Sequence, residues 1–311
     1  MRFFLLLVFP LLLNALEFKV ATYNVENLFD TRIDGHEYDE YKPNNKHGWN
    51  EAMLQKKLSH IAQVIADINP DIIALEEVEN KAVLEQLNHA LGRKAFPYLF
   101  FPHKKERVSV ETALMSRFPI EKTFSIALKD QARGIHKVTL SIDGKSLDVY
   151  LNHWPAYKEK EDERLMYAKT LHQYLLMEPK NREYILLGDF NSPYKEQKGH
   201  WGMGLVTFLQ AGDRMAPLYN LWYEVPESQR YLHSYGKEKS SLDHIIISKT
   251  LQDGKNIDYK PSSMQTFVRP YMLDENGNPL RWQISNRGRG QHLGEGYSDH
   301  LPLFAIFQTI K

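Results

Sequence analysis

Apolar and polar positions along this chain alternate in short runs far more often than they follow helical spacing. EFKVATYNV (17–25) alternates and then meets Asn24. DIIALEEV (71–78) is apolar almost throughout before two glutamates, the pattern of a strand buried on both faces. Further β-runs are YLFF (98–101), TALMSR (112–117), IHKVTLSI (135–142), SLDVYLNHW (146–154), EYILLGDF (183–190), SLDHIIIS (241–248) and HLPLFAIF (300–307). The runs at 135–142 and 146–154 flank Asp-Gly-Lys, which includes a hairpin signal. Helical spacing occurs in three places. Residues 50–68 carry Leu54, Leu58, Ile61, Ala62 and Ile65 on one face and stop before Pro70; 80–91 predicts a second helix. The third is 158–177, with Leu165, Ala168, Leu171 and Leu175 on one side. Residues 31–49 read as a polar loop, and the long polar stretches 192–240 and 270–298 as functional surface loops. No repeat or composition break divides the chain. Many strands with few helices predict one domain over 17–311 of the α/β (α+β) class: a four-layer sandwich, two mainly antiparallel β-sheets face to face with flanking helices.

Composition narrows this picture. The 311 residues are 42% hydrophobic, enough to build a sizeable core. Lys plus Arg equals Asp plus Glu at 39 each, so the basic excess usual in a clamp on long nucleic acid is absent. Short or small phosphoesters therefore stay in contention. Residues 1–16, MRFFLLLVFPLLLNAL, predict a signal peptide cleaved near Ala15 and hence export, periplasmic or secreted. The apolar run Phe3 to Leu13 is too short to cross a bilayer as a helix, and a buried first strand is the alternative. The sequence contains no cysteine, which excludes disulfides, thiolate metal sites and a cysteine nucleophile.

Six segments end an apolar run on a carboxylate, an amide or a histidine. They are TYNVEN (Asn24), ALEEVEN (Glu76, Glu77), YLNHWP (Asn152, His153), LLGDFN (Asp189, Asn191), SSLDHIIIS (Asp243, His244) and YSDHLP (Asp299, His300). Each alone reads as a cap, a turn or a satisfied histidine. Together they read as strand ends converging on one rim of a sheet. Carboxylates and amides are hard oxygen donors suited to Mg²⁺, and also to Mn²⁺ or Ca²⁺. Two histidines and two asparagines beside such donors point to phosphoester hydrolysis.

The ordered set NVEN, LEEVEN, SRFP, NHWP, GDFN, LDH and SDHLP resembles the endonuclease/exonuclease/phosphatase superfamily, of deoxyribonuclease-I-like fold, over about residues 18–308. NVENLFD with EVEN and NHWP is similar to a bacterial, often exported, branch of it. The resemblance implies roles. Glu77 becomes the main metal carboxylate, with Asn24 and Asp299 completing or orienting the metal shell. Asp189 orients or deprotonates the attacking water, and Asn191 holds the phosphate. His300 stabilises the pentacovalent phosphate and is oriented by Asp243. His153 is the second catalytic histidine, with Glu111 as its partner, while Arg133 and Asn152 contact phosphate. Position 76 is Glu where the family pattern has Gln. Strand alternation lets only one of Glu76 and Glu77 face the metal, and the alignment prefers Glu77.

The function so implied is a Mg²⁺-dependent phosphodiesterase, an exported nuclease acting on DNA or RNA as a monomer. HKKER (103–107) and NRGRG (286–290) are candidate phosphate contacts. An alternative keeps the chemistry and changes the substrate to a phospholipid, sphingomyelin or inositol phosphate. PLYNLWYEVP (217–226) is its candidate membrane-contact loop. A non-catalytic binding module is the third reading.

Overall fold

In the computed structural model, residues 15–103, 108–128, 133–195, 203–235 and 238–311 are described. The expected signal peptide up to residue 14 and the basic cluster from Lys104 to Arg107 lie outside them. Among the described residues, no helix is long and apolar enough to cross a membrane.

One sheet contains β1 (Glu17–Leu28), β2 (Ile72–Val78), β3 (Tyr98–Phe100), β4 (Glu111–Ser116), β14 (Ile257–Tyr259), β15 (Gln265–Thr266) and β16 (Leu303–Thr309). Its order is β14-β16-β1-β2-β4-β3, with β15 also on β16. The other contains β5 (Ile120–Ile126), β6 (Ile135–Ile142), β7 (Lys145–His153), β8 (Tyr184–Asp189), β9 (Ala211–Gly212), β10 (Leu218–Asn220) and β13 (Asp243–Ile247). Its order is β5-β6-β7-β8-β13-β10-β9. A separate hairpin pairs β11 (His233–Tyr235) with β12 (Glu238–Ser240).

Alternation along the strands makes the layers. On β8, Ile185 and Leu187 face the core between the sheets, while Leu186 faces the opposite side with Tyr167, Ala168 and Leu171 of helix α3 (Glu161–Leu176). Ile245, Ile246 and Ile247 on β13 divide in the same way. Helix α1 (Glu51–Ile68) and helix α2 (Lys81–Ala90) join the core from the side of the first sheet. Asn50 and Asn80 cap them, each side chain accepting from the backbone N–H three residues on. The expected four-layer sandwich is therefore present, with most strand pairs antiparallel.

Two parallel pairs set the rim. β1 runs parallel to β2, and β7 parallel to β8, so four strands end at one edge. β16 and β13 run antiparallel to β1 and β8, and so begin there. All six polar-ended segments consequently meet, because the direction of each strand fixes which of its ends reaches the edge. The hairpin turn at Asp143-Gly144 has both residues at positive φ, 50° and 74°, as a two-residue turn of this hand requires.

The chain departs from the expected elements in several places. β5 and the short strands β9, β10, β14 and β15 form without a clear run in the sequence. β16 begins at Leu303 rather than at residue 300, since Pro302 has no N–H for a ladder. Within 217–226, Leu218, Tyr219, Leu221 and Trp222 are buried, and Trp222 Nε1 donates to the Asp243 carbonyl at 2.8 Å. The large apolar side chains of that loop thus pack into the protein, with Pro217 and Pro226 exposed at its ends.

Gly188 permits β7 and β8 to approach closely at the rim. Its φ is +128°, and a Cβ there would stand 2.1 Å from the Asn152 carbonyl oxygen and 3.0 Å from Glu76 Oε1. Gly188→Ala should therefore destabilise the fold by at least about 1 kcal/mol, read as a lower urea midpoint. An unchanged midpoint would show that β7 and β8 can separate at the rim without cost.

Candidate active site

The rim is built around Asn24. Its Nδ2 donates to Glu77 Oε1 and to Asp189 Oδ2, both at 3.2 Å, and so links the two sheets. Its Oδ1 accepts from the Glu26 N–H at 3.0 Å, and its carbonyl accepts from Ser298 Oγ at 2.6 Å. Asp189 ends β8, where Oδ1 accepts from the Asn191 N–H at 2.7 Å. Burial, reinforced by the charge of Asp243, pushes Asp189 up to about 7.

Glu76 and Glu77 do not obey strand alternation. Glu77 has φ +65°, and the register between β2 and β4 shifts there, a bulge that turns both carboxylates toward the rim. Glu77 Oε2 accepts from the Asn27 N–H at 2.9 Å. Glu76 lies deeper: Oε1 accepts from Thr22 Oγ1 at 2.9 Å, and Oε2 has no hydrogen-bond partner among the described residues. Burial and then Asp243 raise Glu76 well above the carboxylate range. Burial and Asp299 raise Glu77. The expectation that only one of them could point into the site is corrected by the bulge: both reach the rim, with Glu77 lining the open cleft.

His300 Nδ1 donates to Asp243 Oδ2 at 2.7 Å. Burial alone would lower this imidazole, but Asp243, with Asp189 and Asp299 behind it, holds it well above its ordinary value. His153 is the opposite case. Its Nε2 stands 3.8 Å from Glu77 Oε1 and 3.9 Å from Asp189 Oδ2. Burial, with Arg133 and His300 nearby, holds it neutral, well below the usual value.

Three expected residues sit differently. Glu111 is not the partner of His153: its Oε2 lies 3.3 Å from His136 Nε2, and His153 Nδ1 has no partner among the described residues. Asn152 does not face a phosphate, since Nδ2 donates to the Tyr150 carbonyl and Oδ1 accepts from Trp154 Nε1. Asn191 acts on Asp189, with Nδ2 donating to Asp189 Oδ2 and to the Trp154 carbonyl. Arg133 does border the site. Its guanidinium donates to the carbonyls of His153 and Trp154 at 3.1 Å, beside Glu77.

Other participants escaped sequence reasoning. Glu26 accepts from Arg281 Nη2 at 2.6 Å and from the Trp282 and Asp299 N–H groups. Burial and Asp299 raise it to about 7. Lys57 of α1 is fully buried, its ammonium 4.8 Å over the Trp282 ring and without a hydrogen-bond acceptor among the described residues. Burial lowers it to about 8, against the pull of Glu26, Glu77 and Asp299. A lysine on the apolar face between Leu54 and Leu58 is the signal that could have found it. The His233 ring lies tilted against that of His300 at 4.9 Å, and nothing in its local sequence marks it.

An open cleft of about 850 Å³ leads away from Glu77 and His153, with Tyr38, Arg133, Tyr157 and Tyr167 on its walls. The oxygen donors Glu77, Asn24 and Asp299 fit a hard divalent cation. Burial and the neighbouring charge of Asp299 raise Glu77, and added positive charge relieves both.

A model of the endonuclease/exonuclease/phosphatase family matches residues 19–309. Among solved structures, D. rerio TDP2 complexed with single strand DNA product is 15% identical with TM-score 0.61, covering 94% of this chain and 99% of that one. SmcL is 17% identical with TM-score 0.62 over 94% and 99%. A beta toxin from Staphylococcus aureus is 15% identical with TM-score 0.56 over 93% and 99%. No curated protein matches the chain.

Asp189 provides a test of the site's electrostatics. Its folded value of about 7 lies above its unfolded value near 3.8, so the folded state keeps a proton that the unfolded chain has lost. This residue's contribution to stability therefore falls as pH rises through that window. In EDTA, the melting temperature of Asp189→Asn minus that of wild type should climb by several degrees from about pH 4 to about pH 8. A difference that stays flat would refute the raised carboxyl.

Proposed function

The chain belongs to the endonuclease/exonuclease/phosphatase family, and on that membership and the site's geometry we propose that it is a divalent-cation-dependent phosphodiesterase with nucleic acid as substrate. The observation that carries this reading is the meeting of Asp189, His153 and the His300–Asp243 pair within reach of the oxygen donors Glu77, Asn24 and Asp299.

Glu77, Asn24 and Asp299 would hold the cation, Mg²⁺ by donor type; when bound, it polarises a phosphoryl oxygen and offsets charge there. The protein groups do the rest. Asp189, held by Asn24 and Asn191 and titrating near neutrality, orients water and takes its proton. His300, kept protonated by Asp243, stabilises negative charge on the phosphoryl oxygens or on the departing oxygen. His153 is neutral and contributes a hydrogen bond rather than a charge. Arg133 stands beside Glu77 to meet a flanking phosphate.

Two features favour nucleic acid over a lipid head group. The cleft carries tyrosines on which bases can stack, together with an arginine. The loop that would touch a membrane, 217–226, is packed into the protein. Exposed Arg287 and Arg289 extend the basic surface along the loop after Arg281. The leader at residues 1–16 supports export of the chain.

The full chain with Mg²⁺ or Mn²⁺ should cleave plasmid DNA or RNA, and EDTA should abolish the activity. Asp189→Ala and His300→Ala should each lower the rate by roughly 10²–10⁴-fold. Hydrolysis of sphingomyelin vesicles with both nucleic acids left intact would move the substrate to lipid. If all substrates stay intact and Asp189→Ala behaves as wild type does, the hydrolase reading fails.

A further inference from the structure

The hairpin β11–β12 stands apart from both sheets, yet it delivers His233 to the rim. His233 and His300 form an isolated antiparallel bridge, and their rings sit 4.9 Å apart. His233 Nδ1 is engaged by Ser240 Oγ at 3.0 Å, and His300 Nδ1 by Asp243 at 2.7 Å. Each contact leaves Nε2 as the nitrogen open to a ligand. One ligand atom from each of His233, Asp299 and His300 lies within 4.8 Å of the others.

We propose that His233, Asp299 and His300 form a site for a borderline transition ion of the Zn²⁺ or Co²⁺ kind, and that its occupation stops hydrolysis by taking His300 out of use. Two imidazoles and one carboxylate are the donor set of a three-ligand zinc site with an open fourth position. Nitrogen donors favour such ions over Mg²⁺, whereas Glu77 and Asn24 offer oxygen. The site also has the outer contacts that ligating histidines need: each Nδ1 is fixed by an oxygen, which orients the ring and selects the tautomer. Ligand atoms around tetrahedral Zn²⁺ stand about 3.3 Å apart, so the three side chains must close by at most about 1.5 Å. Arg281, whose Nη2 lies 3.7 Å from Asp299 Oδ2, must give way as they do. Asp299 belongs to both donor sets, so filling one weakens the other.

The inhibitory half of this inference rests on the hydrolase reading, and the binding half does not. The full chain, in excess Mg²⁺, is titrated with Co²⁺ and followed by the visible absorption of low-coordinate Co²⁺, with Zn²⁺ added to displace it. Wild type should show a saturable band that excess Mg²⁺ does not remove, and His233→Gln should bind at least about tenfold more weakly. Zn²⁺ should inhibit wild type at saturating Mg²⁺, and His233→Gln should need at least about tenfold more, each judged against its own uninhibited rate. Equal affinity in the two proteins, or full displacement by Mg²⁺, overturns the site. Binding through His233 without inhibition overturns the inhibitory role. If His233→Gln does not fold, imidazole NMR of wild type decides: Zn²⁺ must shift both His233 and His300, and unmoved signals overturn the proposal. Absence of hydrolysis on every phosphodiester sinks the hydrolase reading and leaves the Co²⁺ titration to decide the site alone.

Discussion

Burial of mutually repelling carboxylates at the seam between two sheets is the constraint on which the rest of this structure depends. Glu26, Glu76, Glu77, Asp189, Asp243 and Asp299 gather at one rim, and most are withdrawn from water. A charged carboxylate in such a place is costly unless a cation or a hydrogen-bond donor meets it. The protein answers each in a different way. Arg281 meets Glu26, His300 meets Asp243, Asn24 spans Glu77 and Asp189, and Lys57 supplies a buried positive charge behind them. Glu77 lines the open cleft, where a cation can enter.

The frame that holds these groups is stiff where they need it. The loops 31–49 and 270–298 are tied together by Trp49, Trp282 and His292. Trp282 Nε1 donates to His292 Nδ1, and His292 Nε2 donates to the Glu40 carbonyl, both at 2.8 Å. Trp49 packs on His292 at 4.8 Å and donates to the Asp30 carbonyl. Both long loops therefore press on the rim as walls, which keeps Arg281 on Glu26 and Asp299 at the mouth. Opposite protonation of His153 and His300 follows from the same geometry. One lies beside a guanidinium and has no partner at Nδ1 among the described residues, and the other has a carboxylate at hydrogen-bond distance.

Much of the fold was legible in the sequence because its signals are local. The amphipathic run at 50–68, the apolar strands 72–78 and 184–189, and the Asp143-Gly144 turn each announce themselves within a few residues. The principal site residues were legible for a related reason: an Asp, Asn or His that interrupts an apolar run must lie at the end of a buried strand. Less was legible where distance decides. Glu111 pairs with His136, a residue of the other sheet, and no motif spacing reports that. Asn152 is spent on its own strand's backbone and on Trp154, although its position at a strand end looked equivalent to that of Asn24. His233 reaches His300 only because a short hairpin folds back over the rim.

The sequence alone determined the layers, the polar strand ends and the oxygen-rich inventory, since burial pattern and donor chemistry are properties of residues and their near neighbours. Tertiary structure decided which of those ends cooperate. The parallel pairs β1–β2 and β7–β8 fixed the shared edge. A single left-handed residue, Glu77, let two adjacent glutamates reach the same place against strand alternation. The charge states of Asp189, His153 and His300 were settled there too, because they depend on burial and on charges that lie far away in the chain and close in space.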